Sequence, residues 1–165
     1  MPHAPAAGKH RLPTAEEMEA IGLVPLISPY MRNALTEMPD RLRSVFDVHG
    51  LTPRHGAVLP QLIAEQPLAV GELARRMGLS LSTVSELVSA LNKAGLVERR
   101  EDPGNRRRML VRIDGRYQAL VESFIARRSA PLLRALDSLT PDERAGFIAG
   151  LAAWAREARP PASGC

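Results

Sequence analysis

The chain has 165 residues and a formal net charge of +4, with 45% hydrophobic and 24% charged residues, a balance typical of one globular domain. Its single cysteine is Cys165, so the sequence predicts neither a disulfide framework nor a thiol enzyme, and a reducing cytoplasm is the expected compartment. Residues 145–155 form the longest run without a polar side chain, well short of the ~18 apolar residues of a membrane span, and no membrane partner or export signal is expected.

The N-terminal part combines a polar, Pro-rich stretch with a helix. Residues 1–20 show no sustained apolar period and predict a flexible arm that becomes helical near its end. Ser28 followed by Pro29 resembles a helix start, and apolar residues then recur at helical spacing up to Phe46. The sequence therefore predicts one long first helix over residues 28–49, kinked at Pro39.

Three helices are predicted in the middle of the chain. The first begins at Thr52 and Pro53, and a short second one covers residues 70–77 and stops at Gly78. Ser80 or Ser82 caps the third, which Gly95 ends. Its predicted buried face consists of Leu81, Val84, Leu87, Val88 and Leu91.

A hairpin and two more helices follow. Residues 96–99 and 109–113 predict two strands around a turn at 102–105. Asp114 begins a long helix that Pro131 disturbs, and residues 142–157 form a last helix that is apolar on more than one side. Residues 160–165 predict a flexible tail, and residues 21–159 a single domain of about six helices.

Two helices joined by a short Gly-containing turn and followed by a hairpin define a winged helix-turn-helix, a mainly α fold with a small β-wing. The charge supports this interpretation, because residues 93–116 carry eight Lys and Arg against four Asp and Glu. Short polar side chains on the second helix suit a DNA major groove, namely Ser82, Ser85, Glu86 and Ser89. Cations near the hairpin tip suit the phosphates or the minor groove, namely Arg106, Arg107 and Arg108.

These residues resemble the MarR (multiple antibiotic resistance) family of bacterial winged helix-turn-helix transcription regulators. The similarity lies in LTPR (51–54), GELARRMGLS (71–80), STVS (82–85), LNKAGLVER (91–99), DPGNRR (102–107) and LTPDER (139–144). It implies a homodimer, with a helical dimerisation region formed by helices at about 28–49 and 114–158. It also implies a DNA-binding lobe at about 52–113 that binds half of a palindromic operator, most simply as a repressor.

The resemblance assigns roles residue by residue. The candidates on the base side are Ser82, Thr83, Ser85, Glu86 and Ser89. The wing candidates are Arg106 and Arg107, and weaker candidates for phosphate or wing contacts are Arg54, Arg76, Lys93 and Arg99. Glu86 stands where the family often has arginine, so it either accepts a hydrogen bond from cytosine or is merely tolerated in the groove. Asn105 stands where aspartate is common.

Many members of the family are released from DNA by a small aromatic or phenolic effector. The side chains that could line such a pocket here are Tyr30, Phe46, His49, His55, Leu59 and Tyr117. The family commonly has a bulky side chain at the position of Gly56, so this glycine could enlarge the effector pocket.

Other classes of function have less support. The sequence holds no nucleophile elbow, phosphate-binding glycine loop or helical histidine pair, so no enzyme, cofactor or metal site is predicted. A winged-helix module that binds protein and not DNA is the alternative, and Glu86 is the one residue that favours it.

Overall fold

The computed structural model of the protein describes residues 11–158, and within them the chain divides after Leu35 into two compact units. Residues 1–10 of the predicted arm and the predicted tail with Cys165 lie outside the described residues. The proposed domain boundaries remain predictions.

The first unit contains helix α1, Ala15–Arg32, which begins well before the predicted start at Ser28. A capping box causes this early start. The N–H of Glu17 donates to Thr14 Oγ1 at 3.2 Å, and the N–H of Thr14 donates to Glu17 Oε2 at 2.7 Å. Residues 15–20 are therefore helical, so the predicted arm is helical at its end from Ala15 onwards.

The second unit opens with helix α2, Asp40–Val48. Pro39 is its N-cap residue and not a kink inside a longer helix, so the prediction of one continuous helix over 28–49 is wrong. Proline disfavours a helical conformation at the residue before it, so Met38 lies outside α2. Leu42 and Phe46 are buried on α2.

The predicted helix from Thr52 is divided at Ala57 into α3, Pro53–Gly56, and α4, Val58–Ala64. Val58, Leu59 and Leu62 are buried as predicted, whereas Ile63 is half-buried. A two-residue strand β1, Leu68–Ala69, follows; two residues are too few to show a periodic pattern.

The helix-turn-helix consists of α5, Val70–Met77, and α6, Leu81–Lys93, which pack against each other. Gly78 adopts a left-handed conformation at φ 57° and ends α5, as its position in the sequence predicts. Gly95 ends the segment after α6 in the same way, at φ 73°.

The wing consists of β2, Val97–Asp102, and β3, Asn105–Ile113, paired antiparallel. Both strands extend further towards the turn than predicted. Strand β1 adds a third strand on the other side of β3, with Leu68 opposite Val111 and Ala69 opposite Leu110. The sheet has the order β1-β3-β2. One of its faces is buried and carries Val97, Val111 and Ile113.

Two long helices complete the described chain, α7, Gln118–Asp137, and α8, Pro141–Glu157. Pro131 lies inside α7, and Thr140 caps α8 through a capping box with Glu143. The described residues thus form eight helices and one small sheet, because two of the predicted helices are divided. The predicted fold class, mainly α with a β-wing, is confirmed. No helix within residues 11–158 has both the length and the apolar character needed to cross a bilayer.

Candidate nucleic-acid interface

Helix α6 is fixed at its start and along its buried face. Ser80 is the N-cap, and its Oγ accepts a hydrogen bond from the N–H of Thr83 at 3.1 Å. Val84, Leu87, Val88 and Leu91 are buried, which sets the rotation of the helix about its axis. The opposite face therefore has one defined orientation.

That opposite face carries the residues predicted to contact bases. Ser82 and Glu86 are exposed, and Thr83, Ser85 and Ser89 are half-buried. The Ser80 hydroxyl lies within hydrogen-bond distance of Ser82 Oγ, at 3.0 Å, and of Thr83 Oγ1, at 2.8 Å.

One predicted core residue of α6 is not buried. Leu81 is 59% exposed, so its assignment to the buried face is wrong. It has the right helical spacing from Val84 and Val88, but it is the first residue of the helix. Periodicity cannot detect this difference, because it gives the face of a helix and not the point at which the neighbouring elements end.

The wing presents its arginines along strand β3. Arg106, Arg107 and Arg108 are all exposed. The N–H of Arg107 donates to Asn105 Oδ1 at 3.1 Å, and Arg108 Nη1 lies 3.6 Å from Asp102 Oδ2. Asn105 thus uses its side-chain oxygen to order the backbone of the turn without adding a negative charge.

Helix α6 and the wing face one groove. It has a volume of about 430 Å³ and also borders the start of α5. Leu81 and Ser85 line it from α6, Arg99 from β2, and Arg107 and Met109 from β3. The groove brings residues of the predicted base-contacting helix and of the predicted wing into one site.

A hydrogen bond ties the two parts together. Arg99 Nη1 donates to Ser89 Oγ at 2.9 Å, which joins strand β2 to the last half of α6. Both residues were predicted to contact DNA separately, and sequence spacing could not show that they contact each other.

The remaining candidate cations differ in their surroundings. Arg54 on α3 and Lys93 at the end of α6 are exposed. Arg76 is half-buried, with Nε donating to Glu72 Oε1 at 2.8 Å and a further ion pair to Glu65. Hydrogen bonds from Arg75 and Arg76 lower the pKa of Glu72 to about 2, so this carboxylate stays ionised and balances the nearby positive charge.

The candidate effector residues do not share one environment. Phe46 and Leu59 are buried in the core, His49 is exposed, and Tyr117 is half-buried with Arg41 Cζ at 4.9 Å from its ring centroid. Tyr30 lies half-buried on α1, in the first unit.

Two further observations concern the start of α3. His55 Nδ1 accepts a hydrogen bond from the N–H of Thr52 at 3.0 Å, so His55 helps to cap α3. Burial lowers the pKa of His55, and the charge of Arg54 lowers it further. A Cβ on Gly56 would lie 3.6 Å from the Phe46 ring, so Phe46 occupies the space next to this glycine.

An ion pair fixes the junction between the wing and α7. Arg116 Nε and Nη2 each donate to the buried Asp114 carboxylate at 2.9 Å, and the N–H of Arg116 also donates to it at 2.9 Å. The side-chain hydrogen bonds of Arg116, followed by its backbone N–H, lower the pKa of Asp114 to about 2. The Asp114 carbonyl accepts from the N–H groups of Tyr117 and Gln118, which leads the chain into α7.

Comparison with known proteins identifies the class. Residues 49–108 match the model of the MarR family. The HTH-type transcriptional regulator YsmB of Bacillus subtilis is 26% identical over 121 residues, covering 73% of this chain and 83% of that protein.

Solved structures show the same fold. FabT of Streptococcus pneumoniae, in complex with DNA, has a TM-score of 0.60 at 11% identity, covering 87% of this chain and 96% of that one. PcaV of Streptomyces coelicolor, a transcriptional regulator in complex with its natural ligand, has a TM-score of 0.51 at 24% identity, covering 91% and 99%.

The fold is a winged helix-turn-helix, and the family match and the similarity to YsmB support the transcription-regulator class. The resemblance predicted from the sequence is confirmed for the winged-helix segment, residues 49–108, which matches the MarR family.

Proposed function

We propose that the protein binds double-stranded DNA in a sequence-dependent way and regulates transcription, most simply as a cytoplasmic repressor. One observation carries the proposal: Ser85 of α6 and Arg107 of the wing line the same groove. A major groove about 12 Å wide admits one helix, and the adjacent phosphates attract cations. A hydroxyl-bearing helix beside an arginine strand satisfies both requirements.

The charge of the interface supports phosphate binding. Arg106 and Arg107 are exposed on β3. Arg54 is exposed on α3, and Lys93 is exposed at the end of α6. Arg76 is a weaker candidate, because Glu65 and Glu72 already balance its charge. We therefore assign the main phosphate contacts to the wing.

The proposed homodimer is supported by the C-terminal helix. α8 exposes Phe147 (44%), Ile148 (53%), Leu151 (46%) and Trp154 (49%). A helix that exposes several large apolar side chains favours a partner that covers them. Two identical lobes related by a two-fold axis would then bind two half-sites of a palindromic operator.

Release by a small aromatic or phenolic effector is the second part of the proposal. Tyr117 is half-buried and His49 is exposed, so both keep surface for a ligand. Phe46 and Leu59 would contribute only as the floor of such a pocket, since both are buried.

The alternative is a winged-helix module that binds a protein partner. Glu86 favours it, because an exposed carboxylate on the central helix face repels phosphates. A DNA-binding protein retains duplexes from a mixture of nucleic acids, whereas a protein-binding module retains none.

The test is selection of bound duplexes from a random DNA pool. We expect a palindrome, because a symmetric dimer selects two inverted half-sites, and the Arg106→Ala/Arg107→Ala variant should recover far less DNA. Arg134→Ala, which removes an exposed arginine of α7, is the matched control and should recover the same palindrome. Recovery of no duplex by the unaltered protein would reject DNA binding and favour the protein-binding alternative.

A further inference from the structure

We infer that Leu81 recognises the 5-methyl group of a thymine in the operator, which makes it a specificity-determining residue. The inference rests on the proposed DNA-binding function and concerns one position of α6. Four observations carry it: the exposure of Leu81, its rigid placement, its neighbours in the groove, and the chemistry of the major groove.

Leu81 departs from the pattern of its own helix. The other apolar residues at this spacing, Val84, Leu87, Val88 and Leu91, are 0–6% exposed, whereas Leu81 is 59% exposed. Its side chain lines the same groove as Ser85 and Arg107, which is the surface proposed to meet DNA.

Leu81 cannot turn into the core without a local rearrangement. It is the first residue of α6 and directly follows the N-cap Ser80, whose Oγ accepts from the N–H of Thr83 at 3.1 Å. The buried Val84 and Val88 hold the helix in its rotation. In helix-turn-helix proteins, residues at the start of the recognition helix contact base edges.

The groove around Leu81 suits DNA better than it suits an apolar protein surface. Leu81 lines it together with one hydroxyl, one carboxylate and three cations, so the groove has a net positive charge; these residues are Ser85, Glu72, Arg99, Arg107 and Arg108. This charge is complementary to a phosphodiester strand. An apolar protein surface would offer no anionic partner to Arg99 and Arg107, whereas a phosphodiester strand does.

Among the base edges of the major groove, the 5-methyl group of thymine is the apolar feature. The same base presents its O4 acceptor next to that methyl group. Leu81 and Ser85 are four residues apart, so their side chains are neighbours on one face of the helix. Contact of Leu81 with the methyl group leaves the Ser85 hydroxyl able to donate to O4 of the same thymine.

The experiment compares thymine with uracil, which lacks only the methyl group. Duplexes carrying the palindrome recovered from the random pool are synthesised with symmetric pairs of dT replaced by dU, one pair at a time. We expect at least one pair at which the unaltered protein binds dU about fourfold more weakly per half-site, the value of one buried methyl group. Leu81→Ala should bind dT and dU equally at that pair.

Two variants separate this role from a structural one. Leu81→Met keeps an apolar contact and should retain the penalty for dU, and Arg134→Ala, a change at an exposed position of α7, should retain it too. Leu81→Ala should unfold at the temperature of the unaltered protein, since the side chain is largely exposed.

The outcomes distinguish the inference from the proposed function. If no dU pair weakens binding of the palindrome, or if Leu81→Ala keeps the penalty, the inference is wrong while DNA binding stands. If the unaltered protein selects no duplex, the proposed function fails and the inference fails with it.

Discussion

Arg99 of strand β2 donates a hydrogen bond from Nη1 to the hydroxyl of Ser89 on α6, at 2.9 Å. The bond joins the helix that is proposed to enter the major groove to the wing that is proposed to reach the phosphates. A charged donor on a half-buried hydroxyl fixes the spacing of the two elements more firmly than the turn at Gly95 alone. The two contacts with DNA are therefore expected to depend on each other.

A double-mutant cycle tests this dependence. Ser89→Ala and Arg99→Ala should each weaken binding to the operator. The double variant should lose less binding free energy than the two single variants lose together, with a coupling energy of about 1 kcal/mol. Dissociation constants of the four proteins give the value. Ser82→Ala with Arg99→Ala is the matched control and should be additive, because Ser82 accepts no hydrogen bond from Arg99. Additivity in the Ser89 cycle would show that the bond does not couple the two elements.

Glu86 is predicted to read a cytosine. Glu86→Ala should abolish the preference for a C·G pair at one position of each half-site, a loss of about 1–3 kcal/mol in discrimination. Binding measured against operators altered at each position identifies the pair. A uniform gain in affinity for every operator would mean that the carboxylate only repels phosphates and reads no base.

The exposed apolar face of α8 is predicted to hold the dimer. Leu151→Asp should shift the protein towards the monomer, because a carboxylate in an apolar interface is left unpaired. Light scattering at micromolar concentration measures the mass. Glu157→Gln, a change at the exposed end of α8, is the control and should leave the dimer intact. A monomeric unaltered protein would contradict the proposed two-fold arrangement.

The Asp114 and Arg116 pair predicts how stability depends on pH. The pKa of Asp114 in the folded protein is about 2, below its usual value of 3.8, so its stabilisation is complete above about pH 4 and is lost as the pH falls towards 2. Asp114→Asn should therefore be less stable than the unaltered protein at pH 6, with the difference shrinking below pH 4. Urea unfolding from pH 6 to pH 2 measures it, and Arg116→Ala should give a similar profile. A difference in the free energy of unfolding that stays constant from pH 6 to pH 2 would show that the ion pair contributes nothing to stability.

The sequence predicted the elements that carry strong local signals. Gly78 and Gly95 mark left-handed ends, Ser80 caps α6, and residues 109–113 form part of strand β3. The start of α1 was missed although its signal is local, because Thr14 and Glu17 have the spacing of a capping box. The third strand was missed because tertiary structure decides it: its two residues pair with a partner more than forty residues away.

The sequence predicted which residues form the candidate site, but it did not predict the contacts between them. Ser82 and Glu86 are exposed on α6 as periodicity requires, and Arg107 is exposed on the wing. The pairing of Arg76 with Glu65 and the exposure of Leu81 could not be predicted, since both depend on how separate helices pack.

The most direct test of the account is the salt dependence of DNA binding by the unaltered protein and by Arg107→Ala. If α6 and the wing contact phosphates, the logarithm of the association constant should fall linearly with the logarithm of the salt concentration, by roughly 0.9 per phosphate contacted. Arg107→Ala should reduce that slope by about 1 per half-site and weaken binding to all sequences equally. An association constant that does not change with salt would contradict the central claim that this interface binds DNA.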